Sequence, residues 1–485
     1  MFRKIVTSSW FWLFVILIFA FWVRTYRIDR ALADWHSWRQ ADTAAVSRNF
    51  IWEGFNVLEP KYDDMVPVAE GSLPNLNRYR YVEFPIYNII VSALWLVFGI
   101  QLKIARLVSI FFSLGSIIFL YLITKKYLGL FLAFLSTLVF AFLPYNIFYS
   151  TVIMPEPMLI FTMVGTLYFF DLWLAKNNTI QKNIIFGSLS LLFSATGLLL
   201  KPTFIFLAFP LLYLAWKNLG WGLFKNTKVW LFVFFTLVPF VVWRIISLQH
   251  PEGIPRWTWL LNGTKIRFKA AFFYWIIQER LSRLILTAPG VALFILGILA
   301  PLGRRMILFY AWLMSLIIYL FVFATGNVTH DYYQVILIPI LSIFVAAGIW
   351  WLLTWKGDLS RRIFGWMMAV ILVILMFGLG WREGRDLFAI RDPNIVEAGE
   401  AADRLLSKDA KVIAPYGGST AFLYQTKRHG WAIGVLPIPE MKEKLGATHY
   451  VTVKFDSEAA DLEKEYKTLL KTDKFLIIDL TQPKT

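Results

Sequence analysis

Asp34-Trp-His-Ser-Trp-Arg39-Gln-Ala-Asp42-Thr43 and, further on, Arg80-Tyr-Val-Glu83-Phe-Pro85 lie between a first apolar span (residues 9–23) and the long hydrophobic stretches that follow. A segment this rich in charge, aromatics and proline cannot rest in hydrocarbon, where every backbone and side-chain polar group needs a partner. Placed directly after a first hydrophobic helix, it is expected at the bilayer surface. Beyond it, apolar spans alternate with short basic loops, so any chemistry is to be sought first in this insert.

Composition agrees. Hydrophobic residues make up 58% of the 485 and charged residues 16%, against about 45–50% and about 25% in soluble domains. The 22 Trp and 44 Phe suit a polytopic helical membrane protein with many interfacial aromatics. The net charge of +17 sits mostly in loops between apolar spans, the positive-inside pattern, which argues against a nucleic-acid partner. With no Cys, disulfides, thiolate metal sites and cysteine nucleophiles are excluded together. Arg24-Thr-Tyr-Arg27 after the first span contains no small-residue cleavage site, so that span is read as a retained helix.

A spanning helix needs about twenty mostly apolar residues. Such stretches run near 8–25, 104–124, 128–148, 158–175, 183–200, 203–216, 229–247, 284–302, 306–325, 333–354 and 363–381, about eleven in all. With Arg3 and Lys4 inside, the inner loops carry Lys125/Lys126, Lys176/Lys182, Lys217/Lys225/Lys228, Arg304/Arg305 and Lys356/Arg361/Arg362, while the short outer connections carry only Lys201. Residues 85–100 are apolar but short, and counting them as a crossing would invert every later loop. They are read as a juxtamembrane helix within a first outer loop of about 26–103.

Two further regions are expected outside. Residues 248–283 hold His250, Arg256 and a basic amphipathic run, Lys265-Ile-Arg267-Phe-Lys269-Ala-Ala-Phe-Phe, that predicts a helix resting on the membrane surface. Past Trp381 the chain turns polar, with strand-like runs at Lys411-Val-Ile-Ala, His449–Phe455 and Phe475–Asp479 and a helical pattern from Ser457 to Lys471. These predict a small extracytoplasmic α/β domain at 388–485, after a transmembrane module at 1–387.

In the insert, helical spacing begins near Gln40 and sets His36, Arg39 and Asp42 on one face. A carboxylate beside an Arg and a His can deprotonate a hydroxyl and meet a charged substrate; a solvated amphipathic helix with an internal ion pair has the same spacing. Asp34 reads as part of a Trp-rich interface anchor. Glu83 and Glu156, in Met154-Pro-Glu156-Pro157, both lie where the chain re-enters the membrane from the same side, although Glu156 also suits a helix N-terminus. Lys201 between apolar helices either snorkels or binds an anion. His330, Tyr332 and Tyr333 open another span on that side, where tyrosines commonly serve as interface anchors. Asp63-Asp64 offers two carboxylates to a divalent cation, although a solvated acidic turn is the preferred reading. No nucleotide fingerprint or HExxH motif is present, and no metal site is assigned.

Together these stretches resemble the GT-C class of integral-membrane glycosyltransferases, nearest the bacterial relatives of protein O-mannosyltransferases and of the lipid A aminoarabinose transferase. The resemblance covers roughly 8–345. It is carried by Arg80–Pro85 with Phe98-Gly99 and Ala105-Arg106-Leu, by Met154–Pro157, and by Leu200-Lys201-Pro202, in matching order. It implies a GT-C fold with juxtamembrane helices in the first outer loop and a sugar donor carried on a polyprenyl phosphate. The acceptor would be a lipid, glycan or protein, and transfer would occur on the outer face of the inner or plasma membrane. It further implies that Glu83 is the acid before the re-entrant proline, Glu156 the second-loop acid and Lys201 the phosphate contact.

The chain departs from the family in two places. The family's acidic pair near the start of the loop helix is missing, with Arg39 at that position, and its lysine before the proline is Phe84 here. Asp42, one turn along, is the expected general base, with Glu83 its rival and Arg256 assisting Lys201. A single displacement of this kind inverts the anomeric centre. Two other classes remain: a lipid or polysaccharide transporter, which would place ionisable residues in mid-span, and a non-catalytic glycan-assembly protein built around its α/β domain.

Overall fold

The computed structural model describes residues 8–68, 74–263 and 265–484; Arg3 and Lys4, used above for sidedness, lie outside them. The chain divides into two compact units. One comprises Met1–Tyr26, Leu107–Trp243 and Trp257–Asp386; the other comprises Arg27–Arg106, Arg244–Arg256 and Leu387–Thr485. The segment expected as the first outer loop therefore shares a unit with the C-terminal residues.

The first unit is helical, and each expected span falls on a helix. Among the described residues seven helical segments are long and apolar enough to cross a membrane, or eight if a bent pair counts as one. By length and composition the expected eleven are not reached. Ser9–Arg24 and Leu130–Phe142 have only 16 and 13 residues, and Glu156–Trp173 carries two acids, Glu156 and Asp171. The bent pair is Ala270–Ile285 and Thr287–Leu299, turned by 108°. Thr287 sits at the bend with φ +61°, a costly conformation for a β-branched residue. The basic run before it is not the single amphipathic helix expected. Lys265 is left-handed, Ile266–Phe268 forms a 3-10 turn, and a short helix at Ala270–Phe273 passes into a widened one at Tyr274–Ile285.

Two glycines set a close helix crossing. A Cβ on Gly297 would lie 1.7 Å from the Phe344 carbonyl oxygen, and one on Gly348 would lie 1.9 Å from that of Leu293. Thr287–Leu299 and Ile338–Leu353 thus meet backbone to backbone, the small-residue packing that replaces the hydrophobic drive between helices in lipid.

The second unit is built on α1 (Ser37–Trp52) and α2 (Ile86–Phe98) together with the C-terminal sheet. Every residue of α1 from Arg39 to Phe50 is buried, so the alternative of a solvated helix is set aside. On α2, the Asn88 amide donates to the Thr43 carbonyl (2.7 Å) and to Ser47 Oγ (3.1 Å), while Ser92 Oγ donates to the Ser47 carbonyl (2.8 Å). The 13 residues of α2 are short for a crossing, in line with the juxtamembrane reading of that stretch.

Strands β1 (Lys411–Ile413), β2 (His429–Trp431), β3 (His449–Thr452), β4 (Tyr466–Lys471) and β5 (Leu476–Pro483) form one sheet in the order β2-β1-β3-β5-β4. β1 runs parallel to β2 and β3, and β5 antiparallel to β3 and β4. Side chains alternate between two cores: Val412, Val451 and Ile477 face one, Ile413, Tyr450 and Ile478 the other. The helix expected over Ser457–Lys471 stops at Glu465, and the rest is β4.

Residues 63–65 lie along β2 as an extra edge: Met65 N donates to Gly430 O (2.7 Å) and Gly430 N to Asp63 O (3.1 Å). Asp63 and Asp64 are therefore buried, 2% and 6% exposed, and do not form a solvated acidic turn. Arg48 pairs with Asp63. Asp64 Oδ1 accepts from the backbone N–H of Val66 and of Ala432, both at 3.2 Å. Burial pushes the Asp64 carboxyl up to about 7 against the pull of those two donors; Asp42 adds to the rise and Arg80 opposes it.

Two outcomes follow from this packing. Gly348→Val drives a side chain into the Leu293 backbone, an overpacking that costs about 1–3 kcal/mol or more. The purified variant should melt several degrees below wild type, whereas Gly378→Val, where a Cβ meets nothing within 4 Å, should not. The second concerns Asp64. Its raised native value means the folded chain keeps a proton that the unfolded chain loses near its ordinary value of about 3.9. That contribution to stability is complete below about pH 4 and is lost as pH rises through about 7. Asp64→Asn should therefore match wild type in melting temperature near pH 4 and exceed it at pH 8; parallel melting curves across that window would refute the assignment.

Candidate active site

Within the second unit, α1 and the Arg80–Pro85 segment bring four charges together as two crossed pairs. Arg39 donates to Glu83 Oε1 (2.5 Å) and Arg80 to Asp42 Oδ2 (2.6 Å). The Arg39–Asp42 pairing that helical spacing implied is replaced by these pairings across the segment. Asp42 Oδ1 also lies 2.7 Å from the Thr420 hydroxyl, contributed by the helix Thr420–Thr426 next to the sheet. The Arg80 guanidinium lies over the Tyr62 ring, 5.0 Å from its centroid. All four charged residues line one small cavity with Thr43, Pro60, Pro85 and Asn88.

The two carboxylates differ in occupancy. Both Asp42 oxygens are engaged, one by Arg80 and one by Thr420. Glu83 has Oε1 on Arg39, while its Oε2 is buried with no hydrogen-bond partner among the described residues. A buried acceptor without a donor is costly, and Oε2 is the oxygen available to take a proton.

His36 immediately precedes α1 with φ +52° and packs edge-on against Trp35, ring centroids 5.1 Å apart. Asp34 is not an interface anchor: it is buried, with Oδ2 on Arg30 (2.5 Å) and Oδ1 on the Gln40 amide (2.8 Å). Arg256 is an exposed residue of the 244–256 stretch of this unit.

The first unit holds a second cluster. Glu156 opens the helix Glu156–Trp173 behind Pro155, where a carboxylate favours the dipole. Lys201 closes Ile180–Leu200 in an extended conformation (φ −153°, ψ 134°) because Pro202 follows. Lys201 Nζ bonds Glu156 Oε1. Glu156 is 1% exposed, and its Oε2 is buried with no hydrogen-bond partner among the described residues. Nζ also lies 5.3 and 5.5 Å from the ring centroids of Tyr332 and Tyr333. Those rings stack on each other at 4.7 Å, and His330 stacks on Tyr332 at 5.3 Å and meets Trp259 edge-on. The expected residues Glu156, Lys201, His330, Tyr332 and Tyr333 thus form one group.

Three contributors were missed from sequence. Arg80 was quoted in its motif without a role, although its spacing of three from Glu83 marks it. Asp331 is buried and accepts from the Tyr149 hydroxyl at Oδ1 (2.7 Å) and from Tyr145 at its carbonyl (2.5 Å). Thr420 lies 378 residues from Asp42, and no local signal announces it. Among the described residues no group of three or more His, Asp or Glu gathers as a metal site.

Residues 83–245 match the family model described as dolichyl-phosphate-mannose-protein mannosyltransferase. Among solved structures, the chain is similar to ArnT from Cupriavidus metallidurans in the apo state (TM-score 0.67, 13% identity, 96% of this chain and 97% of that one). The same protein bound to undecaprenyl phosphate gives a TM-score of 0.67 at 14% identity, with the same coverage. The oligosaccharyltransferase of Archaeoglobus fulgidus in its apo form is similar at TM-score 0.57 and 10% identity, over 92% of this chain and 70% of that one. A search of the curated proteins by sequence finds no match. In its fold the chain is similar to multi-pass membrane glycosyltransferases of the GT-C class, and its segment 83–245 matches a family model of that class.

Proposed function

We propose that the protein transfers a sugar from a polyprenyl-phosphate carrier to an acceptor hydroxyl on the extracytoplasmic face of the cell membrane, inverting the anomeric centre in one displacement. The observation that carries this reading is the Lys201–Glu156 pair under the Tyr332–Tyr333 stack. A lysine held at a helix end by a buried acid is a cation kept ready for an anion, and an arriving phosphate competes with Glu156 for it. The solved relative bound to undecaprenyl phosphate supports a lipid-phosphate ligand. Charge-assisted contacts to the departing phosphate are about twice as strong as neutral hydrogen bonds, and they strengthen as the leaving oxygen gains charge.

The acceptor proton goes to the carboxylate cluster. Sequence spacing favoured Asp42; the free, buried Oε2 favours Glu83, with Asp42 held by Arg80 and Thr420 as the residue that fixes Arg80 beside it. The reaction draws on no nucleotide, which suits a chain without a nucleotide fingerprint. A transporter reading gains less support, because Glu156 stands at a helix start, Glu83 in the Arg80–Pro85 segment and Asp42 on α1, which is not among the helices long and apolar enough to cross a membrane.

Two measurements test the reading. Lys201→Ala in nanodiscs should bind undecaprenyl phosphate at least about tenfold more weakly than wild type, one charge-assisted contact being worth roughly 1.5–3 kcal/mol; unchanged affinity rules the role out. For the base, glycan profiling by mass spectrometry of a deletion strain complemented with each variant separates the rivals. Glu83→Gln should lose transfer by about 10²–10⁴-fold, with Asp42→Asn less affected. The opposite ranking returns the role to Asp42, and full activity in both variants removes this cluster from the chemistry.

A further inference from the structure

The second unit contains a larger cavity, about 310 Å³, at the C-terminal end of α1. It is lined by Asn49, Phe50, Glu53, Phe55, Glu59 and Lys61, with Gly54 and Asn56 at its rim. None of these residues belongs to the catalytic machinery described above.

Its polar groups are set in advance. The Glu53 carboxylate takes both Arg78 nitrogens (2.9 and 2.5 Å) and lies 3.2 Å from His429 Nε2. Burial works against its charge, but hydrogen bonds from His429 and Arg78 prevail and hold it at about 2, so it is ionised throughout the physiological range. The Asn49 amide nitrogen faces three acceptors, Lys61 O, Tyr62 O and Asp63 Oδ1, at 3.1–3.2 Å. That contact fixes the amide's orientation and leaves Asn49 Oδ1 buried without a hydrogen-bond partner among the described residues. Glu59 forms no ion pair among the described residues. The apolar wall is Phe55, 55% exposed, with its ring 5.1 Å from that of buried Phe50. Gly54, at φ +106°, has nothing within 4 Å of where a Cβ would stand, so the rim there is open.

The lining selects among ligand classes. Two carboxylates against one lysine disfavour an anion. A cation would have to strip Glu53 from Arg78, and a purely apolar ligand would strand the acids. What remains is a ring with one C–H face for Phe55 and a rim of hydroxyls for Glu53, Glu59 and Lys61. We infer that this cavity binds a neutral pyranose of a glycan-bearing acceptor, as a recognition subsite outside the catalytic cluster. This deepens the transferase reading and rests on it, choosing a glycan among the acceptors that reading leaves open.

The test uses full-length protein in nanodiscs and saturation-transfer NMR with the methyl glycosides of glucose, galactose, mannose and N-acetylglucosamine. At least one glycoside should receive saturation on its ring C–H protons. Phe55→Ala and Glu59→Gln, both at the cavity edge, should reduce that signal at least fivefold without changing undecaprenyl-phosphate affinity or melting temperature. Signals equal in wild type and both variants place sugar binding elsewhere and overturn the inference, as does silence from all four glycosides. If undecaprenyl phosphate binds wild type and Lys201→Ala alike, the transferase reading fails, whatever the glycosides show.

Discussion

A carboxylate withdrawn from water must meet a cation, gather neutral donors or keep its proton, and pairing with a cation recurs in both units. Glu156 answers to Lys201, Glu83 to Arg39, Asp42 to Arg80, Asp63 to Arg48 and Asp34 to Arg30. Removing one partner of such a pair leaves a buried charge uncompensated, a loss of about 3–5 kcal/mol. Except for Arg30–Asp34, each pair joins stretches distant in the chain, so the pairs fix where loops lie as well as neutralising them. Two of these acids keep an oxygen without a hydrogen-bond partner. Full pairing would have been the more stable arrangement, and the shortfall falls on the acids assigned to chemistry.

Hydropathy made the helices legible, because the cost of polar groups in lipid leaves long apolar runs as its mark. It could not decide how many of them cross. Ser9–Arg24 and Leu130–Phe142 are short, and the 108° turn at Thr287 is a backbone event with no compositional sign. Strand alternation located β1, β3 and β5, since each face of the sheet packs a core. It misread 466–471 as helix because the preceding Ser457–Glu465 is amphipathic and its pattern runs on without a Gly or Pro to stop it.

The candidate site was legible as a set of residues and not as a set of contacts. Helical spacing put Arg39 beside Asp42 on one face, but spacing within a helix says nothing of the segment that packs against it. Arg80 and Glu83 arrive from that segment and exchange the partners. Asp63-Asp64 looked solvated because acidic pairs usually are; β2 and Arg48 bury it instead. Lys201 was the reverse case. A lone lysine between apolar helices either snorkels or meets an anion, and Glu156, after its own proline, is the anion it meets.

The central claim is that Lys201 is the protein's phosphate contact, and a structure determined with the ligand examines it most directly. Cryo-electron microscopy of the full chain in nanodiscs with undecaprenyl phosphate should show the phosphate within hydrogen-bonding distance of Lys201 Nζ, with the lysine drawn away from Glu156. A phosphate bound away from Lys201, with the Lys201–Glu156 pair intact, would contradict the account.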